Sequence, residues 1–237
     1  PFSEWGCSRT DLAAGVEHLK MMNVSDFIAR TDRVKELAAG VADLVPRASV
    51  PPYTIYRIDH NQTGHAVALA AAPYRVTAAN WKEAAYRWFK YAKPEDPVPV
   101  FATVATPAED ARFAGVLSDV SRQVPRIRRE APPLTEYVEA ERITVSGYRP
   151  GEPILIRVSY HPRWQSATGE RVWLAGPGFM LVFPEHDTLQ LVYSETAVTR
   201  TGVALTMLAL VGVAAALWRL PQERDDADAM SRLGFVI

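Results

Sequence analysis

The segment Pro153–Tyr160 reads PILIRVSY and is the strongest strand signal in the chain. From Glu136 onward, apolar residues recur with a period of two, as expected for strands that bury one face. Glycine and proline separate these runs, for example in Gly147–Gly151 and at Gly176–Pro177. Short strands at regular spacing with such turns are typical of an antiparallel sheet or sandwich. We therefore predict an antiparallel, sandwich-like β domain over residues 131–198.

Further strands of this domain are predicted on both sides of the central segment. They are Tyr137–Val145, which holds one or two strands, Arg171–Leu174, Gly178–Phe183 and Leu189–Tyr193. The charged, proline-ended segment Arg126–Pro133 (RIRREAPP) precedes all of them and is typical of a linker. We place the domain boundary in this segment.

The sequence before the linker mixes helical and strand patterns. Apolar residues at helical spacing predict helices over Asp11–Met22, Asp32–Leu44, Asn80–Tyr91 and Pro107–Val120, and β-rich runs predict strands over Val24–Ala29, Tyr53–Ile58, His65–Ala70 and Val100–Val104. This order is typical of a small α/β unit. We predict an α/β region over residues 1–130, and an α+β class for the whole chain.

One run near the C-terminus is far more apolar than the rest of the chain. Gly202–Trp218 (GVALTMLALVGVAAALW) holds no charged residue and would extend about 26 Å as a helix. Residues 199–220 would extend about 33 Å, enough for a hydrocarbon core of about 30 Å. Arg200 and Arg219 would reach the two interfaces. We predict one transmembrane helix over residues 199–220, and the alternative is a buried core helix.

Basic residues near the ends of this helix predict its orientation. Arg219, Arg224 and Arg232 follow the apolar run Gly202–Trp218, whereas only Arg200 stands closely before it. The positive-inside rule therefore puts the tail 221–237 in the cytoplasm and residues 1–198 on the extracytoplasmic side. Most basic residues are arginine and alanine is frequent, as is typical of the coding bias of GC-rich bacteria. With the apolar helix, we expect the chain in a bacterial cytoplasmic membrane.

Composition restricts the functional classes. The 237 residues carry a net charge of -1, without the basic excess of a general nucleic-acid binder, so we expect no nucleic-acid partner. Cys7 is the single cysteine, which excludes an intrachain disulfide framework and a cysteine-based zinc site. The chain begins at Pro1 without the pattern of a signal peptide, so we expect a piece of a longer protein or a processed chain.

The sequence contains no recognised motif for nucleophilic catalysis, phosphate binding or dinucleotide binding. His60 and His65 are close in sequence, but surface or turn positions compete with a metal site as their interpretation. Glu139 and Glu141 would share one face of a strand, where they could shift each other's pKa or simply face solvent. We expect no catalytic, cofactor-binding or metal-binding residue in this chain.

The segment Tyr160–Trp164 (YHPRW) is the most distinctive candidate site. It joins a strand end, a proline, a basic residue and an aromatic residue at the margin of the predicted sheet. Tyr160, Arg163 and Trp164 could contact a glycan or an interface, since their aromatic rings could stack on a sugar or lie at lipid headgroups. The competing interpretation is a turn whose Trp164 packs back into the sandwich.

The run Ile154–Ser194 resembles the C-terminal extracytoplasmic region of large bacterial polytopic membrane proteins. These are of the YfhO-like and GT-C glycosyltransferase-like type, and they include membrane proteins labelled 6-pyruvoyl-tetrahydropterin synthase-related. Tyr160, Pro162 and Trp164 match the Y-x-P-x-W element of that region. Gly15–Ala29 (GVEHLKMMNVSDFIA) is similar to the helix–strand unit that follows the family's membrane core. The resemblance covers most of the chain.

The resemblance implies a supporting role, in acceptor binding or assembly, for a parent that transfers sugar from a lipid-linked donor. The family's catalytic acidic residues are expected in early loops among N-terminal membrane helices, so none is carried over to this chain. The implied partners are the lipid bilayer, the N-terminal membrane domain of the same protein, and a lipid-linked sugar or polysaccharide. The alternative is a non-enzymatic, membrane-anchored envelope protein whose sandwich binds a polysaccharide or another protein.

Overall fold

The computed structural model describes residues 11–61, 64–121, 124, 126–195 and 197–219, without the side chains of residues 197 and 219. These residues form an α+β fold with three mostly antiparallel sheets and one apolar C-terminal helix, which confirms the predicted class. The chain separates into two compact units, Pro1–Ser194 and Glu195–Ile237. Cys7 and the predicted cytoplasmic tail lie outside the described residues.

Helices and strands are numbered here in chain order. The helices are α1 (Leu12–Met21), α2 (Asp32–Ala39), α3 (Trp81–Phe89), α4 (Pro107–Asp110) and α5 (Ala197–Arg219). The first seven strands are β1 (Asp26–Ala29), β2 (Leu44–Val50), β3 (Tyr53–Ile58), β4 (Ala66–Ala68), β5 (Tyr74–Val76), β6 (Pro99–Phe101) and β7 (Val116–Leu117). The others are β8 (Thr135–Val138), β9 (Arg142–Ser146), β10 (Ile154–Ile156), β11 (Trp164–Ser166), β12 (Trp173–Ala175), β13 (Phe179–Val182) and β14 (Thr188–Tyr193).

The first three strands form an antiparallel sheet in the order β1-β3-β2. Its core joins buried residues of α1, α2 and the strands, among them Val16, Ala38 and Tyr56. Helix α1 begins after Asp11, whose side chain accepts a hydrogen bond from the main-chain N–H of Ala14 at 3.1 Å. This local cap and the apolar spacing explain why the first helices and strands follow the sequence pattern.

A seven-stranded sheet has the order β4-β10-β13-β12-β6-β5-β7. Strand β5 runs parallel to β6 and to β7, and the other neighbours are antiparallel. Four of its strands precede residue 130 and three follow it. The predicted linker Arg126–Pro133 therefore does not divide one sheet from another, and Arg128 within it pairs with Ala71 in an isolated β-bridge.

A four-stranded antiparallel sheet, β11-β14-β9-β8, packs on this seven-stranded sheet. Alternate residues of β9 and β14 enter the core between the sheets, including Val145, Leu189 and Leu191. Ile154 and Ile156 of β10 meet them from the opposite sheet. The two sheets therefore form the sandwich that the period of two predicts.

Helix α3 packs against the seven-stranded sheet over strands β5 and β6. Ala84 and Ala85 are buried near strands β5 and β6, where their small side chains allow close packing. Trp88 lies against Gly176: a β-carbon on this glycine would stand 2.8 Å from Cζ3 of the indole ring. The helix thus connects the parallel strands β5 and β6 and covers the sheet between them.

Several predicted elements differ from those observed. The helix predicted over Asp32–Leu44 ends at Ala39, and Leu44 begins strand β2. The helix predicted over Pro107–Val120 ends at Asp110, because Phe113 turns inward and makes edge contacts with two buried aromatic rings, at centroid distances of 5.4 and 5.3 Å. The strand predicted over Pro153–Tyr160 pairs only as β10. Glu139 and Glu141 lie exposed in the connection between β8 and β9, so they do not share a strand face.

Helix α5 lies in the second compact unit. Its segment Val198–Trp218 has 21 residues and a mean hydropathy of 2.0, long and apolar enough to cross a membrane. The described side chains around the helix are exposed, including those of leucine and valine. The predicted transmembrane segment is therefore a continuous helix of suitable length and apolarity.

Candidate functional site

The three residues singled out in the YHPRW segment have different surroundings. Trp164 is 8% exposed, lies on β11 and belongs to the core between the two sheets. Its ring makes an edge contact with Tyr193 at a centroid distance of 5.2 Å. This placement favours the packing interpretation of Trp164 over a role as a sugar-stacking platform.

Arg163 is held at the end of strand β14. Its guanidinium carbon lies 4.4 Å from the centroid of the Tyr193 ring, and its Nε donates to the carbonyl oxygen of Ser194 at 2.7 Å. The main-chain N–H of Ser194 donates in return to the carbonyl oxygen of Arg163 at 2.8 Å. The cation therefore fixes the strand end through a stacked and hydrogen-bonded contact.

Tyr160 packs partly against the same core as Trp164 and also lines a cleft of about 320 Å³ that we call the Tyr160 cleft. It lies where the parallel strands β5 and β6 end, a position at which open α/β sheets bind ligands. It is lined by Ala78, Ala79, Trp81, Phe101, Ala102, Thr103, Val104, Tyr160, Arg171, Val172, Trp173 and Leu174. The structure thus brings Tyr160 together with Trp81 and Thr103, which the sequence pattern did not single out as site residues.

A buried ion pair holds one wall of the Tyr160 cleft. Arg75 on β5 is only 6% exposed, and its guanidinium donates to both carboxylate oxygens of Asp110, at 2.6 and 3.0 Å. The same guanidinium donates to the carbonyl oxygen of Ala102 at 2.7 Å. Because the pair is two-pronged and largely withdrawn from water, it fixes the chain after β6 in one arrangement.

Arg171 holds the rim of the cleft from the other side. Its guanidinium carbon lies 3.8 Å from the centroid of the Trp173 ring, and it donates to the carbonyl oxygen of Val104 at 3.1 Å. It also donates to Glu109 at 3.3 Å. The main-chain N–H of Thr106 and, to a smaller extent, Arg171 lower the pKa of Glu109. The carboxylate therefore stays charged and keeps its ion pair with Arg171.

The lining of the cleft includes four aromatic residues and two hydroxyl groups. The ring of Trp81 packs against that of Phe101 at a centroid distance of 6.2 Å. Within the part of the chain that the structure describes, the hydroxyls of Tyr160 and Thr103 have no hydrogen-bond partner. The cleft therefore offers apolar ring surface together with groups that can donate and accept hydrogen bonds.

A polar cluster lies at the turns that follow β11 and β13. The carboxylate of Glu170, whose side chain is 5% exposed, accepts hydrogen bonds from the hydroxyls of Ser166 and Thr168 and from the main-chain N–H of Glu185. Burial alone would raise its pKa, but these hydrogen bonds outweigh burial and lower the pKa to about 2. This cluster joins two turns and is best explained as a structural element.

The histidines named in the sequence analysis each face a carboxylate. Nδ1 of His60 lies 3.1 Å from Asp43, and Nδ1 of His65 lies 3.4 Å from Glu136. Across the described residues, no group of three or more histidine, cysteine, aspartate or glutamate side chains could hold a metal ion. The pairs are therefore simple polar contacts.

Sequence reasoning identified Tyr160 but missed its neighbours. Trp81 was predicted only as part of the apolar face of a helix, and Thr103 as part of a strand. No local pattern marks either residue as a ligand-binding position, because the sequence predicts no strand at Tyr74–Val76 and extends the strand Val100–Val104 past Thr103. No family model, curated protein or solved structure matches this chain.

Proposed function

We propose that residues 1–198 form the extracytoplasmic C-terminal portion of a bacterial multi-span membrane protein of the glycosyltransferase-like type. In this role the portion supports acceptor binding or assembly and carries no catalytic centre of its own. The observation that supports the proposal best is helix α5, whose apolar residues are exposed and which follows the folded body directly in the chain. A lipid environment would cover the apolar surface of such a helix.

The dimensions of α5 agree with this proposal. The segment Val198–Trp218 has 21 residues, and at about 1.5 Å per residue it extends about 32 Å. That length matches the hydrocarbon core of a bilayer, about 30 Å thick. Trp218 at its end is 94% exposed, as suits a residue of the interfacial aromatic belt. The body would then be joined to α5 through the chain that follows β14.

Reporter fusions in the protein as its gene encodes it test the topology. An alkaline phosphatase fused after Ser194 is expected to be active, whereas a phosphatase fused after Ile237 is expected to be inactive. Green fluorescent protein at the same two positions should give the reverse result. A control with Leu208→Arg and Leu210→Arg should abolish insertion of α5, since each charge opposes insertion, so that the phosphatase after Ile237 becomes active like the one after Ser194. Reporter activity that places Ser194 in the cytoplasm would refute the proposal.

A second candidate function is a membrane-anchored envelope protein that binds a polysaccharide or another protein. The Tyr160 cleft favours it, because a binding module needs a surface site and no partner domain. The gene sequence upstream of Pro1 discriminates the two. Eight or more apolar spans with an acidic residue in the first outer loop support the glycosyltransferase-like parent, and a signal peptide directly upstream supports the binding module.

A further inference from the structure

The Tyr160 cleft has the size of a site for one small ring. Its volume of about 320 Å³ lies at the lower end of the range of ligand pockets, about 300–1,000 Å³. Such a cleft encloses a single cyclic residue more readily than an extended chain. Its position beyond the ends of β5 and β6 leaves the mouth open to solvent, so a ring at the end of a larger molecule could enter.

The charged groups at the cleft disfavour the binding of ionic ligands. Arg171 is the single charged residue among those that line it, and its guanidinium is already bound to Glu109 and to the carbonyl oxygen of Val104. An anionic ligand would have to compete with this carboxylate, and a cation would meet the guanidinium. The cleft therefore suits a neutral ligand.

The lining also selects against a purely apolar ligand. Trp81 and Tyr160 offer aromatic surface, while the hydroxyls of Tyr160 and Thr103 are left without partners in the described residues. An apolar ligand would bury these hydroxyls unpaired, which costs free energy. A neutral ring that has C–H groups on one face and hydroxyls on its rim satisfies both conditions, because C–H groups pack on the negative face of an aromatic ring.

We propose that the Tyr160 cleft binds one neutral pyranose ring, stacked on aromatic surface of Trp81 and Tyr160 and hydrogen-bonded to Thr103. This proposal rests on the proposed function, for which it names the ligand class of the acceptor-binding role. The Arg75–Asp110 pair and the Arg171–Glu109 pair hold the walls in place before the sugar arrives. Such preorganisation reduces the entropy lost on binding.

Saturation-transfer difference NMR tests the proposal with the full chain in a zwitterionic detergent that contains no sugar. The probes are the methyl pyranosides of glucose, galactose, mannose and N-acetylglucosamine, with methyl glucuronide as the charged probe and cyclohexanol as the apolar one. An oligosaccharide series distinguishes a terminal residue from an internal one. We expect at least one neutral pyranoside to show transfer mainly to the C–H groups of one ring face.

Three variants connect binding to the cleft. Trp81→Leu is expected to weaken binding about tenfold, because it removes a stacking surface. Thr103→Val and Tyr160→Phe keep the shape of their side chains and should each weaken binding several-fold. The matched control is Tyr86→Leu, an exposed aromatic residue on the same helix α3 outside the cleft, which should leave binding unchanged. Circular dichroism of every variant shows whether the fold is retained.

The binding measurements on the wild-type chain and its variants either support or overturn the proposal. Loss of neutral pyranoside binding in Trp81→Leu with the fold intact supports it. No pyranoside binding, equal effects of Trp81→Leu and Tyr86→Leu, or a preference for cyclohexanol or the glucuronide overturns it. The reporter fusions and the binding assay can fail separately. Sugar binding by a body that the fusions place in the cytoplasm would refute the proposed function. The predicted topology without sugar binding would refute only the assignment of the cleft.

Discussion

Replacing Trp164 with alanine should mainly destabilise the sandwich. The side chain is 8% exposed and lies in the core between the two sheets, near one end of strand β14. Its ring makes an edge contact with Tyr193, at a centroid distance of 5.2 Å. The substitution therefore leaves a cavity at one end of the core and removes an aromatic pair.

The size of the effect follows from these contacts. Truncation of a buried tryptophan to alanine costs about 3–5 kcal/mol, and loss of an aromatic pair accounts for about 0.5–1.5 kcal/mol of such a cost. We expect the free energy of unfolding to fall by about 4 kcal/mol. Since domains of this size are stable by about 5–15 kcal/mol, the variant should lose a large part of its stability.

Urea unfolding of the full chain in detergent, followed by circular dichroism, measures this change. Tyr137→Ala is the matched control, because Tyr137 lies on β8 of the same sheet and is 65% exposed. This control should change the free energy of unfolding by less than about 0.5 kcal/mol. An unchanged urea midpoint for Trp164→Ala, together with weaker glycan binding, would refute the packing argument and restore Trp164 as a contact residue.

Two other predictions concern a close contact and a carboxylate. Gly176→Ala should lower the free energy of unfolding by about 1–3 kcal/mol, because its β-carbon would stand 2.8 Å from the Trp88 ring; Gly178→Ala, with nothing within 4 Å of the added carbon, is the control, and equal urea midpoints would contradict the contact. The Glu170 carboxylate has a pKa lowered from 4.5 to about 2, so its stabilising contribution is complete above pH 4.5 and is lost as the pH falls toward 2. Glu170→Gln should flatten this part of the stability–pH curve in acid titrations of unfolding, and an unaltered curve would contradict the assignment.

The spacing of apolar residues predicted many helices and strands, because these elements depend mainly on interactions between neighbours in the chain. In β14, Leu189 and Leu191 alternate with less buried residues, and this period of two is visible in the sequence. Helix α1 follows from apolar spacing and from the cap at Asp11. Helix α5 follows from a long run without charge. In each case neighbours in the chain determine the element, so the sequence suffices.

The parallel strands could not be predicted with equal certainty, for a physical reason. Strands β5, β6 and β7 have two or three residues each, too few to show a period. All three residues of β5 are buried, including Arg75. An arginine is expected at the surface, but here Asp110, from the chain after β6, forms an ion pair with it. Pairing between distant segments, here across the predicted boundary near residue 130, depends on contacts that no local pattern encodes.

The candidate site shows the same division between sequence and tertiary structure. The sequence by itself determined that Tyr160 and Trp164 are aromatic residues at a sheet margin and that an apolar helix follows the body. Only the tertiary structure decided that Trp164 enters the core, while Tyr160 packs partly against the same core and also lines a cleft with Trp81 and Thr103. The reason is that periodicity reports which face of an element is apolar, whereas packing between distant elements decides what that face contacts.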